Sequence, residues 1–358
     1  MHSLSTKPKK SLGQNFLANQ GICKRVVETA DIQQDDIVVE VGPGKGALTF
    51  LLAQKAKQVI AVEKDKGLAD ALAKDIEIKN IKNITIIKGD ILKICHSEAI
   101  AKESRLRSFG ITLRMTDAAC HSEPAGEESR GRDPSLSLRM TKMCHYKVVA
   151  NLPYNIATAV IMKFLTAENK PDLMAVMLQK EVGQRMTAQP PKMSRLAIFS
   201  QLYSEIKIAF YIKKENFYPK PKVDSALLLI KPFAEKELKK RLKNLDTFTK
   251  IVRAGFNQPR KQLLNNLARG LSLEKSAVEN WLKENNLDPK QRPETLSVDD
   301  WLKMGDRVGT GISLSLPCPC HSEAIAEESR PRDPCAAAKA LATRGRLSPQ
   351  GDDRRHSA

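Results

Sequence analysis

Between residues 22 and 178, short β-branched runs alternate with stretches of helical spacing, and few architectures accept that alternation. Residues 22–30 carry apolar residues at helical intervals, and 36–41, Asp-Ile-Val-Val-Glu-Val, form a strand-like run ending at Gly42. Residues 47–56 then read as a helix, 58–62 as a second strand, 68–76 as a second helix and 84–87 as a third strand, with 147–150 and 173–178 as a fourth and fifth. Strand-helix-strand repetition implies an α/β fold with a mostly parallel, doubly wound sheet. Beyond about Phe233 the pattern changes to Lys- and Leu-rich helical spacing at 238–245, 247–254, 260–267 and 276–284. The expected organisation is a catalytic α/β domain over 1–235 followed by a small all-helical domain over 236–308.

At 358 residues the chain exceeds one typical domain, which agrees with that division. Lys and Arg number 59 against 41 Asp and Glu, a net +18. Segments 95–145 and 318–358 each contribute only +1, so +16 belongs to the rest. A basic excess concentrated on the folded part favours a polyanionic partner. No apolar run approaches the ~20 residues needed to cross a bilayer, and residues 1–10 lack the apolar core of a signal peptide. A cytoplasmic protein without a membrane partner is expected.

Six of the seven cysteines lie in two odd segments, and Cys23 stands alone. The first holds Cys95-His-Ser-Glu-Ala-Ile-Ala-Lys-Glu-Ser-Arg105, which returns with changes at 120–130 and again at 320–330. These copies lack a regular apolar stripe and are rich in Ser, Glu, Arg and Pro. They read as inserted low-complexity sequence at 95–145 and a derived tail at 309–358, both expected to be disordered. Cys-His pairs at 95/96, 120/121, 144/145 and 320/321 suggest zinc, but adjacent ligands without a Cys-x-x-Cys partner do not make a metal site. Neither a metal nor a structural disulfide is expected.

The stretch 39–47, Val-Glu-Val-Gly-Pro-Gly-Lys-Gly-Ala, sets a glycine-rich turn between the first strand and its helix. Glycines such as Gly42 and Gly44 let the backbone approach a ligand closely, and Glu63, 21 positions after Gly42, can accept both hydroxyls of a ribose. The spacing also satisfies the dinucleotide fingerprint, so NAD is an open alternative. Against it, Asp90 closes the third strand, where a carboxylate can accept from an adenine amino group. The bland readings are a solvated strand-end charge for Glu63 and a helix N-cap for Asp90.

The fourth strand ends in Asn151-Leu152-Pro153-Tyr154. Pro153 stops the strand, so Asn151 and Tyr154 stand at its carboxyl end, where open α/β sheets bind ligands. An exocyclic nucleobase amine is a poor nucleophile because its lone pair is delocalised. The Asn151 amide oxygen and the carbonyl of Leu152 or Pro153 are acceptors that would localise it. Tyr154 offers a face on which an extruded base can stack. The alternative is a strand-terminating proline beside a buried tyrosine.

With residues 9–17, Lys-Lys-Ser-Leu-Gly-Gln-Asn-Phe-Leu, before the glycine turn, and 217–225, Phe-Tyr-Pro-Lys-Pro-Lys-Val-Asp-Ser, after it, the chain resembles the S-adenosylmethionine-dependent rRNA adenine dimethyltransferases. The resemblance covers about 9–94 and 146–308 and leans toward the branch acting on the small subunit. It implies a Rossmann-like class I methyltransferase with S-adenosyl-L-methionine as cofactor. Asn15 and Leu17 would touch the cofactor, Gly42 would lie against its amino-acid end with Gly44 in the same turn, Glu63 would hold the ribose and Asp90 would read the adenine. Asn151 would bridge cofactor and target amine, and Phe217 would stack on the target base opposite Tyr154. The implied reaction is dimethylation at N6 of two adjacent adenosines in the 3′-terminal hairpin loop of 16S rRNA, within an immature 30S subunit, by a monomer. A sulfonium methyl is already activated, and the inferred core contains no histidine, so alignment rather than general-base catalysis is expected. Lys7, Lys9, Lys10, Lys213, Lys214, Lys220, Lys222, Arg253, Arg260 and Lys261 are candidate phosphate contacts.

The family joins its third and fourth strands by a much shorter link than 95–145. Loop-closure entropy grows slowly with length, so the core is expected to fold and stay active. A large-subunit rRNA methyltransferase of the antibiotic-resistance type, and an assembly factor inactivated by the insertion, are the alternatives.

Overall fold

A computed structural model describes residues 13–94 and 145–306. The repeat copies, the tail, the Cys-His pairs apart from His145, and Lys7, Lys9 and Lys10 lie outside the described residues. In chain order, β1 (Phe16–Leu17) and α1 (Gln20–Thr29) lead into β2 (Ile37–Val41), α2 (Thr49–Ala53), β3 (Gln58–Glu63), α3 (Lys66–Ile78), β4 (Ile84–Lys88) and α4 (Ile91–Ile94). Then come β5 (Tyr146–Asn151), α5 (Ala157–Leu165), β6 (Leu173–Gln179), α6 (Lys180–Met186), α7 (Arg195–Tyr203), β7 (Ser204–Ile212), β8 (Phe217–Tyr218) and β9 (Ser225–Pro232). The last helices are α8 (Glu235–Arg241), α9 (Leu245–Gly255), α10 (Leu263–Leu271), α11 (Lys275–Glu284) and α12 (Val298–Asp306).

The sheet runs β4-β3-β2-β5-β6-β9-β7, its first five strands parallel and the β6-β9 and β9-β7 pairs antiparallel. All five expected strands are present within a residue or two. The antiparallel β7 and β9 and the small β1-β8 ribbon are additions that the alternation did not announce. The helix expected at 47–56 shortens to α2 because the turn continues through Gly46, whose φ is +79°. The helix expected at 238–245 stops at Arg241, where Leu242 turns extended, and Asn244 caps the next helix by accepting from Thr247 N–H.

From β2 the chain winds outward through β3 and β4, then returns to build β5 and β6 on β2's other side. That reversal opens a crevice at the strands' carboxyl ends, where such sheets bind ligands. The register aligns Val41 with both Val62 and Ala150, so Gly42, Glu63, Asp90 and Asn151 all leave from one edge.

Side chains alternate across the sheet. Val39, Val41, Val148, Ala150 and Val176 pack on one face with α5 and α7, while Val38, Val59, Val149 and Ala175 pack on the other with α1 and α2. The first cluster continues into the last helices: Phe199 of α7 meets Phe248 of α9 edge-on at 6.1 Å. Trp301 is fully buried over Gly255, where a Cβ would sit 2.3 Å from its ring.

The two ends of the insertion are anchored. On the outgoing side, Lys163 of α5 donates to the Leu92 carbonyl. On the returning side, Tyr146 pairs in register with Ile37, at the sheet's amino-terminal edge, and its hydroxyl donates to Asn169 O at 2.8 Å. His145 meets Asp172 at 3.0 Å.

Candidate active site

Strand β2 delivers Val41 into the glycine turn. Gly42 adopts φ +70° and its N–H donates to Val62 O at 2.9 Å, tying the turn to β3. Gly44 adopts φ +57°, and a Cβ there would meet the Phe16 ring at 2.9 Å. Glycine is required on both counts. The Gly44 N–H donates to Glu63 Oε2 at 3.1 Å, while Glu63 Oε1 accepts from Asp65 N–H at 2.8 Å. Glu63 is buried. Burial raises its pKa, the Asp65 and Gly44 amides oppose the rise, and the Asp65 charge adds to it. Each carboxylate oxygen keeps a second lone pair for an incoming hydroxyl.

At the end of β4, Asp90 Oδ1 accepts from Leu92 N–H at 3.0 Å, and Oδ2 pairs with Lys64 at 2.9 Å. Burial works against its charge, but the Lys64 hydrogen bond, the Leu92 amide and the Lys64 and Lys93 charges together hold the carboxyl below its usual range. Asp90 is therefore both helix cap and ionised acceptor.

Asn151 Nδ2 donates to Asn15 O at 2.8 Å. That bond orients the amide and leaves Oδ1 as its acceptor. The Leu152 N–H is held by Met177 O at 3.1 Å, and Pro153 O accepts from Ile156 N–H at 3.1 Å, which leaves the Leu152 carbonyl as the less committed of the two backbone acceptors. Tyr154 is half-buried with its hydroxyl 2.9 Å from Ser225 Oγ, and burial raises its pKa.

These groups line one cleft of about 870 Å³, open mouth included, together with Gln14, Asn15, Phe16, Lys64, Ile91 and Ile156. A second cleft of about 600 Å³ shares Phe16, Gly42 and Asn151 with it and adds Glu40, Lys45 and Tyr218. Of the residues expected to meet the cofactor, Asn15, Gly42, Gly44, Glu63, Asp90 and Asn151 line the first cleft, whereas Leu17 lines the second.

Phe217 is placed differently from the other expected site residues. It is 4% exposed, belongs to the core cluster around α1 and lines neither cleft. The cause is the ribbon: Phe217 pairs with Leu17 and Tyr218 with Phe16, and alternate residues must face opposite ways. Sequence reading also missed Glu40, a buried carboxyl within β2, although a charge inside Ile-Val-Val-Glu-Val was its visible signal.

The site suits S-adenosylmethionine better than a dinucleotide. Ribose hydroxyls and an adenine amine are donors, and Glu63 and Asp90 supply carboxylate acceptors. A pyrophosphate needs free amides at the glycine turn, but the Gly44 N–H is already given to the buried Glu63 carboxylate.

Among the described residues no group of three or more His, Cys, Asp or Glu could hold a metal, and no helix is long and apolar enough to cross a membrane. Cys23 is buried with a free thiol.

Comparison with known proteins gives the class. The family model described as ribosomal RNA adenine dimethylase matches residues 5–308. A protein of Dehalococcoides mccartyi (strain CBDB1) named ribosomal RNA small subunit methyltransferase A is 36% identical over 304 residues, 85% of this chain and 89% of that one. A protein of the same name from Clostridium botulinum (strain Okra / Type B1) is 32% identical over 302 residues, 84% and 94% of the two chains. Among solved structures, a dimethyladenosine transferase from Plasmodium falciparum superposes with a TM-score of 0.56 at 22% identity, covering 81% of this chain and 95% of that one. The 23S rRNA methyltransferase ErmE does so at 0.55 and 22%, covering 82% and 98%. At those identities the structures speak to the Rossmann-like fold.

The chain belongs to the ribosomal RNA adenine dimethylase family. It is an rRNA adenine dimethyltransferase, and S-adenosyl-L-methionine is its cofactor.

Proposed function

We propose that this enzyme dimethylates N6 of two adjacent adenosines in the 3′-terminal hairpin loop of 16S rRNA, acting as a cytoplasmic monomer on immature 30S subunits. The small-subunit name carried by relatives at 31–36% identity supports that target over a large-subunit one. Glu63 would hold the ribose, Asp90 the adenine, and the turn from Gly42 to Gly44, with Asn15 and Leu17, the amino-acid end. When bound, the cofactor supplies a methyl group already activated by a sulfonium sulfur.

The observation that carries the reading is the Asn15–Asn151 bond. With Nδ2 committed, Oδ1 of Asn151 and the carbonyl of Leu152 form a pair of acceptors beside Tyr154. They suit the two N–H groups of an exocyclic amine, drawing its lone pair out of the ring. Pro153 holds the strand end open and Tyr154, anchored by Ser225, stacks on the base. Exposed Lys213, Lys220, Lys222, Arg260 and Lys261, with half-buried Lys214 and Arg253, would neutralise phosphates; Arg253, Arg260 and Lys261 belong to helical segment 236–308, read here as an RNA-binding domain. The returning anchor lies at the far end of the sheet from the crevice, and the outgoing one, two residues past Asp90 on the crevice rim, is pinned to α5 through Lys163; together they support an active core despite segment 95–145.

The test incubates the full chain with unmethylated 30S particles and labelled S-adenosylmethionine. Label is expected in 16S rRNA at the two loop adenosines. Asn151→Ala should cost about 10²-fold or more in turnover while cofactor affinity stays largely intact. Label in 23S rRNA, no label, or near-normal turnover of the variant would overturn the proposal.

A further inference from the structure

We infer that Lys163 is a positioning residue for the adenine end of the cofactor, holding α4 and through it Asp90; the inference rests on the reading of Asp90 as acceptor for the adenine amine. Lys163 sits in α5, where eight of nine residues are buried, and is itself 8% exposed. A buried ammonium must be met by acceptors, and this one reaches across to another element. Lys163 Nζ donates to the Leu92 carbonyl of α4, 71 positions away in the chain. The carbonyls of a helix's last turn have no intrahelical partner and carry its negative end, so a cation is favoured there on both counts.

The element so held cannot hold itself. Helix α4 has four residues, well below the ~12 at which an isolated helix becomes even marginal, so its contacts set its place. Ile91 is buried and lines the first cleft, and Leu92 packs against the larger core cluster. Leu92 is gripped at both backbone polar groups: its N–H is given to Asp90 Oδ1 at 3.0 Å and its carbonyl receives Lys163. The other Asp90 oxygen meets Lys64 at 2.9 Å, but the Lys64 side chain is 54% exposed, and pairs of that kind hold a carboxylate loosely. The buried route through Leu92 to Lys163 is therefore the one that fixes the direction of Asp90. Helix α5 begins directly after the Asn-Leu-Pro-Tyr turn, with Ile156 N–H on Pro153 O at 3.1 Å. One lysine thus ties the wall of the cleft that bears Asp90 to the wall that bears Asn151.

The test measures, by calorimetry on the full chain, the affinities for S-adenosylhomocysteine and S-inosylhomocysteine, the second carrying a carbonyl in place of the adenine amine. Wild type should prefer the adenosyl ligand by about a hundredfold or more, as a site built around an N–H donor does. Lys163→Met keeps an apolar stem suited to α5 and removes the ammonium. It should weaken adenosyl binding by about tenfold and shrink the preference by about the same factor, whereas a merely structural loss would weaken both ligands alike. Lys163→Gln, polar but one bond shorter, gives the same comparison if methionine impairs folding. In a double-mutant cycle, Asp90→Asn with Lys163→Met should bind no more weakly than Asp90→Asn alone, because Lys163 acts through Asp90. A folded Lys163 variant that keeps the wild-type preference, or additive losses in the cycle, would overturn the inference. If the wild type does not distinguish the two ligands, the reading of Asp90 itself fails and the inference falls with it.

Discussion

Replacing Glu40 with glutamine tests whether this carboxyl is held neutral. Glu40 sits within β2 at 1% exposure, and its Oε2 has no hydrogen-bond partner among the described residues. Burial pushes its pKa from 4.5 up to about 8; the Thr49 hydroxyl opposes the shift and the Glu63 charge adds to it. The sign follows directly. Between those two values the native state keeps a proton that the unfolded chain has released, so stability falls as pH rises, by about 1.4 kcal/mol per unit. By pH 7 the loss from this one group is about 3 kcal/mol, and it levels off above the native value. Glutamine has the same shape and does not titrate. Urea unfolding of both proteins at pH 5, 6, 7 and 8 should therefore show Glu40→Gln near wild type at pH 5 and more stable by about 3 kcal/mol at pH 7, other titrations cancelling in the difference. A difference that does not change with pH would refute the neutral carboxyl.

Two further substitutions probe the cleft. Glu63→Gln leaves one amide oxygen for two backbone donors and turns an N–H toward the other, so cofactor affinity measured calorimetrically should fall by about tenfold or more, with a lower melting temperature; unchanged affinity would remove Glu63 from the cofactor site. Ser225→Ala frees the Tyr154 hydroxyl and should cost about 1 kcal/mol in stability and reduce kcat several-fold while leaving cofactor binding intact, as read by steady-state assay and melting.

The five parallel strands were legible because the inner four are largely buried on both faces and read as near-continuous apolar runs, and the edge strand β4, only partly buried, is still marked by its β-branched residues. The antiparallel β7 was not: Ser-Glu-Ile-Lys-Ile-Ala-Phe-Tyr-Ile lies on the sheet's edge with half of it in solvent, and nothing local says which strand it joins. Helix α5, Ala-Thr-Ala-Val-Ile-Met-Lys-Phe-Leu, is buried all round, so it carries no polar stripe to mark its period. At the site, Gly42, Glu63, Asp90, Asn151 and Tyr154 were readable because strand ends locate them. The burial of Phe217 was not readable, because its direction depends on pairing with a segment about 200 residues away in sequence, and only that register decides which of two adjacent aromatics is buried.

The separation of the motifs along the chain has a physical meaning of its own. The Asn-Leu-Pro-Tyr turn is braced by Asn15, 136 residues before it, and by Ser225, 71 residues after its tyrosine. The glycine turn is braced by Glu63, 19 residues beyond Gly44. None of these braces is local, so the acceptor pair at Asn151 and Leu152 reaches its geometry only when the amino-terminal motif, both central turns and the Ser225 strand have all docked. Segment 95–145 interrupts the chain between two of those motifs: it departs after α4, just past Asp90 on the crevice rim, and the chain re-enters at the sheet's opposite end, where Tyr146 meets Ile37. An insertion there lengthens a connection between two braced motifs, and because loop-closure entropy grows slowly with length, the braces on either side can still form.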